Sequence, residues 1–190
     1  MGCKSTASAG IAIAHRLSPL DITLQEVRNA EKAAKSKEGR NAFSITFLKR
    51  SGEQVGAGAK WTYADKSIDT VEVLLKFQQK FADDSISSKF PYILQEEAET
   101  LSLLEIPGLY KAEIKRLLLR QQGGKKLSKE EREKLADELA KKLSNLIEQA
   151  NKEKRAHTKD EDKAKPQEKL KPFADLLTFT RFLATGEGED

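Results

Sequence analysis

Lys32, Lys35, Lys37 and Arg40 crowd one short stretch that closes on Gly39-Arg40-Asn41. Ammonium groups in such a cluster can offset phosphate charge as point donors, while a guanidinium can hold a turn or fork onto a carboxylate. Basic residues at a helix C-terminus also meet its partial negative charge, so an ordinary structural explanation competes with phosphate binding. A second basic set, Lys115, Arg116, Arg120, Lys125 and Lys126, could face RNA phosphate or form a solvated helix face. The two histidines, His15 and His157, lie far apart and offer neither metal-ligand spacing nor a Ser/His/Asp arrangement. A structural or nucleotide-proximal position suits His15 better than a general-base role. No catalytic residue and no metal ligand is therefore assigned in this chain.

The elements that would position these groups are legible from periodicity. Thr6 to Ala14 mixes β-branched residues with Ala and Gly and carries no charge, which suits a strand buried on both faces. From Leu20, apolar residues recur at Ile22, Leu24, Val27, Ala30, Ala33 and Ala34, close to helical spacing, and Gly39 stops the helix. Phe43, Ile45 and Phe47 then alternate as in a strand with one apolar face. Residues 51–66 read as a connector: Gly56 and Gly58 could allow close approach to a phosphate but suit a flexible link better, and Trp61 and Tyr63 suit a packed domain junction better than base stacking.

Beyond the connector the period is helical. Helices are expected over 68–82, with Asp69 and Glu72 as a capping pair, and over 88–104, closed by Pro107 and Gly108. Another is expected over 109–120, ended by Gly123-Gly124. Ser128 with Glu131 forms a capping box ahead of Leu135, Leu139, Leu143, Leu146 and Ile147, and a last helix spans 172–184. Residues 151–171 mix both charge signs without apolar anchors and read as a mobile linker. The chain is thus α+β: a partial ferredoxin-like palm, strand-helix-strand, over 1–50, followed by a mainly α-helical bundle over 67–190.

TASAGIAIAH followed by AEKAAKSKEGRNAF resembles the end of a GGDEF/polymerase palm, where a strand with Ser and Gly precedes a helix running into Gly-Arg-Asn. With HRLSPL between them and FLKRSGE after, the chain resembles the C-terminal portion of the large subunit of type III CRISPR effector complexes, most closely the Cmr type. The resemblance implies antiviral defence and a palm that makes cyclic oligoadenylates from ATP, with divalent metal, when target RNA is bound. It implies nucleotide contacts from Lys35, with Lys37 competing for the same role, from Arg40 and more weakly from Ser8. It also implies an upstream palm half or the remainder of the large subunit, other effector subunits including small helical ones, and the crRNA/target RNA complex as partners. The family's GG-Asp-Asp metal hairpin has no counterpart here. The only adjacent aspartates, Asp83 and Asp84, lack preceding glycines and fall at the end of a predicted helix. Metal ligands for two-metal phosphoryl transfer are therefore expected from sequence outside this chain, and the chain alone is expected to be inactive. The alternative is a noncatalytic scaffold or RNA-binding module.

Composition narrows the setting without naming a partner. Across 190 residues, 34 basic side chains face 30 acidic ones, so a net charge of +4 does not by itself mark a nucleic-acid binder. Cys3 is the sole cysteine, which excludes an internal disulfide or a cysteine zinc cluster. No apolar run suits a transmembrane helix, so no membrane partner is expected and the cytoplasm is the default location.

Overall fold

The structure, a computed structural model, describes residues 5–49, 54–63, 67–103, 109–157 and 170–185. It divides into two compact units, Met1–Thr70 and Val71–Asp190. The early sheet and the mostly helical remainder give the α+β class that the periodicities imply.

In the first unit, β1 (Ala9–Ala14) leads into α1 (Leu20–Ser36), which returns to β2 (Ala42–Leu48), and β3 (Gln54–Lys60) follows. β1 pairs parallel with β2, from Ala9↔Phe43 to Ala14↔Leu48, and β2 pairs antiparallel with β3, from Ala42↔Lys60 to Leu48↔Gln54. Parallel neighbours need a crossover, and α1 supplies it. Alternation puts Gly10, Ser44 and Gly58 in one row beneath α1. A Cβ on Gly10 would lie 2.2 Å from the Glu31 nitrogen and 2.5 Å from the Val27 carbonyl oxygen. The helix therefore rests directly on the strand backbone, with the small residues Ala30 and Ala34 buried on its inner side. On the other face Trp61 packs 4.8 Å from Phe43, and its Nε1–H donates to the Ala7 carbonyl at 3.0 Å. The buried Tyr63 accepts a hydrogen bond from the Lys60 N–H at 3.1 Å. Both aromatic residues are thus engaged in packing within this unit.

Several boundaries differ from the sequence-based expectation. β1 starts at Ala9, so Ser8 precedes the strand. β1 is also not buried on both faces: it has one strand neighbour among the described residues, and Ile11 is 41% exposed. The expected connector contains β3, a Gly/Ala-rich strand held by pairing to β2 rather than by its own weak strand propensity. β4 (Thr62–Tyr63) then pairs with β5 (Ile68–Asp69), so Asp69 ends a short strand immediately before the next helix.

α2 (Thr70–Ala82) begins at the division between the units, and α3 (Phe90–Leu103), α4 (Leu109–Arg120), α5 (Lys129–His157) and α6 (Leu170–Thr185) follow. Their core is apolar and fully buried at Phe77, Phe90, Leu94, Ile114, Leu117, Leu139, Leu143, Leu146, Ile147, Phe173 and Leu176. Phe77 and Phe90 stack with ring centroids 6.0 Å apart. The leucines at heptad-like spacing in α5 are bundle core, as their periodicity implies. Ser128 and Glu131 form the reciprocal capping box: Glu131 N–H donates to Ser128 Oγ at 3.2 Å, and Ser128 N–H donates to Glu131 Oε2 at 2.8 Å. α5 runs on through His157 and α6 begins at Leu170, so residues 151–157 and 170–171 of the expected mobile linker are helical. The centre of that linker, and the Pro107-Gly108 punctuation, lie outside the described residues.

The close seat of α1 makes Gly10 the most size-sensitive position in the sheet unit. Gly10→Val is expected to destabilise that unit by roughly 1–3 kcal/mol, because helix or strand must shift to admit the side chain. Hydrogen exchange on the full chain checks this: β2 amides should lose protection while α5 amides keep theirs. Unchanged β2 protection would contradict the tight seating.

Candidate functional site

α1 runs antiparallel to the two strands it connects, so its C-terminal end, the start of β1 and the start of β2 lie at one end of the sheet. Arg28, Lys32 and Lys35, spaced by four and three residues, share one helix face there. With Glu31, Ser36 and Arg40 they line an open surface depression. Four cations thus surround one carboxylate. Lys35 Nζ lies 2.5 Å from Glu31 Oε1, and both side chains remain about half exposed. The Lys35 hydrogen bond, and then its charge, hold the Glu31 carboxyl below the usual range. Ser36 Oγ–H is committed to the Lys32 carbonyl at 2.8 Å.

The turn that carries Arg40 into this depression is unusual. Gly39, Arg40 and Asn41 have φ of 81°, 65° and 48° in succession. Glycine takes that conformation freely and asparagine tolerates it, but an arginine there costs about 1–2 kcal/mol. The turn is held by the Arg40 N–H donating to the Ala34 carbonyl at 3.2 Å and by the Trp61 N–H donating to the Asn41 carbonyl at 3.0 Å.

Of the two competing lysines, Lys35 lines the depression. Lys37 caps α1, its backbone N–H donating to the Ala33 carbonyl at 2.8 Å, and lies outside the lining. Ser8 sits at the same sheet end, just ahead of β1, and is also outside it. Arg28, Glu31 and Ser36 were not singled out from the sequence. The four-three spacing of Arg28, Lys32 and Lys35 on an amphipathic helix is the signal that finds the first of them. His15 Nδ1 accepts the Leu17 N–H at 3.2 Å in the β1–α1 turn.

The basic residues of the helical unit are mostly paired. Lys115 and Lys111 share Asp137, each at 3.2 Å. Arg116 forks onto Glu113 and lies 3.9 Å from Glu97. Lys125 Nζ is 2.9 Å from Asp83. Arg120 and Lys126 are exposed and carry no ion pair among the described residues.

Asp83 and Asp84 form a clamp inside the helical unit. Asp84, at φ 54°, accepts the Gly124 N–H on its carboxylate at 2.8 Å and the Lys125 N–H on its carbonyl at 3.0 Å. A Cβ on Gly123 would lie 2.0 Å from that carbonyl oxygen, so the glycine is needed for the approach. Burial alone would push the Asp83 carboxyl up, but hydrogen bonds from Ser85 and Lys125 and the charge of Lys80 outweigh it and hold the group at about 2. Both carboxylates are therefore engaged by protein donors. Among the described residues no cluster of three or more His, Cys, Asp or Glu could hold a metal ion. With their oxygens on protein donors and no third ligand among the described residues, Asp83 and Asp84 do not fit the divalent-metal centre of a polymerising palm. Nor is any helix among the described residues long and apolar enough to cross a membrane.

A strand, a returning helix with a basic end, a left-handed turn and a second strand follow one another over residues 9–48. Residues 2–44 match the family described as Cas10/Cmr2, second palm domain, a span that contains every residue lining the depression. This segment is thus similar to the second palm domain of Cas10/Cmr2 proteins. No curated protein matches the chain.

The Asp83 clamp carries a pH dependence of definite sign. Its folded-state pKa, about 2, lies below the ordinary 3.8, so the clamp stabilises fully above the ordinary value and is lost as pH falls through the lower one. Urea unfolding of the full chain, followed by helical circular dichroism, should show wild type losing stability between about pH 4 and about pH 2 more steeply than Asp83→Asn. Parallel profiles for the two proteins would remove Asp83 from the clamp.

Proposed function

We propose that this chain contributes the triphosphate-contacting end of a nucleotide-polymerising palm, binding ATP for cyclic oligoadenylate synthesis in an RNA-activated, cytoplasmic antiviral effector complex. The observation that carries the reading is the coincidence of the matched palm segment with a depression lined by four cations. Phosphoryl transfer asks a protein mainly for positioning and for charge that offsets the phosphates. Lys35 and Arg40 supply that charge, Arg28 and Lys32 extend it, and Ser8 and Lys37 flank the same end of the sheet. Metal carboxylates come from other sequence, an upstream palm half or the remainder of the large subunit, and the chain alone is inactive. The helical unit joins the complex through small helical subunits and the crRNA/target RNA.

A second reading, a noncatalytic scaffold or RNA-binding module, draws on the exposed Arg120 and Lys126, which are the members of their basic set without an ion pair among the described residues. It predicts association with effector subunits or RNA without ATP binding.

Complementation separates the two. With an upstream palm half, target RNA, ATP and magnesium, the full chain should restore oligoadenylate synthesis. Lys35→Ala should lower the rate about ten-fold or more, the scale of one lost charge-assisted hydrogen bond. Synthesis that is indifferent to Lys35→Ala removes the assigned contact, and RNA association without any synthesis favours the scaffold.

A further inference from the structure

Glu31 is the one carboxylate in the lining of the basic depression, and its position there is specific. It stands one turn after Arg28 and one turn before Lys35 on the same helix face, with its oxygen against the Lys35 ammonium at 2.5 Å. A carboxylate oxygen and a phosphate oxygen make the same demand on an ammonium group. Both side chains of the pair are about half exposed, so an incoming anion can reach Lys35 from solvent and exchange with Glu31. Exposed helical pairs of this spacing are weak, which makes the exchange energetically easy. The other three cations of the lining have no second carboxylate among them and would stay with the ligand during the exchange.

We propose that Glu31 is a built-in counter-anion of this site: it occupies Lys35 when no nucleotide is bound, and the triphosphate of ATP displaces it. This rests on the reading of the depression as a triphosphate site. Glu31 then acts as a positioning residue through Lys35. It holds the ammonium at the depression in the empty state and lowers the affinity of an incoming anion by the small amount the pair is worth. A triphosphate outweighs that cost because it contacts several cations at once, whereas a single phosphate exchanging with Glu31 gains little beyond what the pair already provides.

A double-mutant cycle on the full chain tests this, with ATP binding measured by equilibrium dialysis in magnesium buffer. Glu31→Gln keeps the side-chain size and is expected to tighten ATP binding roughly two- to five-fold, the scale of one exposed pair that no longer has to be displaced. The gain should vanish in the Lys35→Ala background, a coupling that a merely structural role would not produce. If wild type binds ATP and Glu31→Gln binds it equally or more weakly, the counter-anion role is wrong and the triphosphate site stands. A gain that persists without Lys35 also overturns it, since the effect would then be general repulsion and not displacement. If neither wild type nor Glu31→Gln binds ATP, the site reading itself fails and takes this role with it.

Discussion

The seat of α1 on β1 governs the first unit. A helix usually stands off a sheet by the length of the side chains between them. Here Gly10 removes that spacer, and the Val27–Glu31 backbone comes to within contact of the strand. Ala30 and Ala34 complete a thin inner face, so the long side chains of α1 project away from the sheet. Arg28, Lys32 and Lys35 are consequently presented together on the outside, and the helix ends where the sheet begins. A larger residue beneath α1 would lift the helix and separate its basic face from the turn that brings in Arg40. The chemistry of the depression thus depends on a residue that has no side chain.

The helical unit solves a different problem with the same economy of charge. Its apolar core is ordinary for a bundle, but its turns are joined by carboxylates and glycines. Asp83 and Asp84 bind the turn after α2 to the loop between α4 and α5, with Gly123 admitting the carbonyl and Lys125 contributing both backbone and side chain. Glu72 similarly meets Lys142 and Lys76, tying α2 to α5. Most cations that resemble an RNA-facing row are therefore neutralised by neighbours. Individually such exposed pairs add little, and their value grows in networks and at high temperature.

Helix existence was readable from periodicity because it depends on local spacing. The bounds of α4 coincide with the expected run, and the Ser128–Glu131 box appears in its full reciprocal form. β3 was not readable, since Gln54-Val-Gly-Ala-Gly-Ala-Lys60 has the composition of a linker and becomes a strand through pairing with β2. The pairing of Thr62 with Asp69 is likewise a tertiary event that leaves no periodic trace. In the site, Lys32, Lys35 and Arg40 were visible as a cluster. That Lys35 and not Lys37 lines the depression follows from the helix phase at its last turn, and the presence of Glu31 beside it from the geometry of the ion pair.

Position on the helix also bears on whether the cluster is more than ordinary capping. A helix C-terminus presents about half a negative charge, which attracts cations and disfavours an anionic ligand. If capping alone explained the basic residues, one or two in the last turn would suffice. The last turn of α1 holds Lys35, yet Lys32 lies just before it, Arg28 a further turn back and Arg40 beyond the helix. Four cations against one carboxylate and half a dipole charge leave the depression strongly positive. Arg40 is held there, moreover, in a backbone conformation that favours glycine. An arginine kept at a cost of about 1–2 kcal/mol where glycine would relieve strain makes sense when its charge has something to meet. At the wrong end of a helix for binding phosphate through backbone donors, an anion site would have to be built from side chains, as the proposed one is.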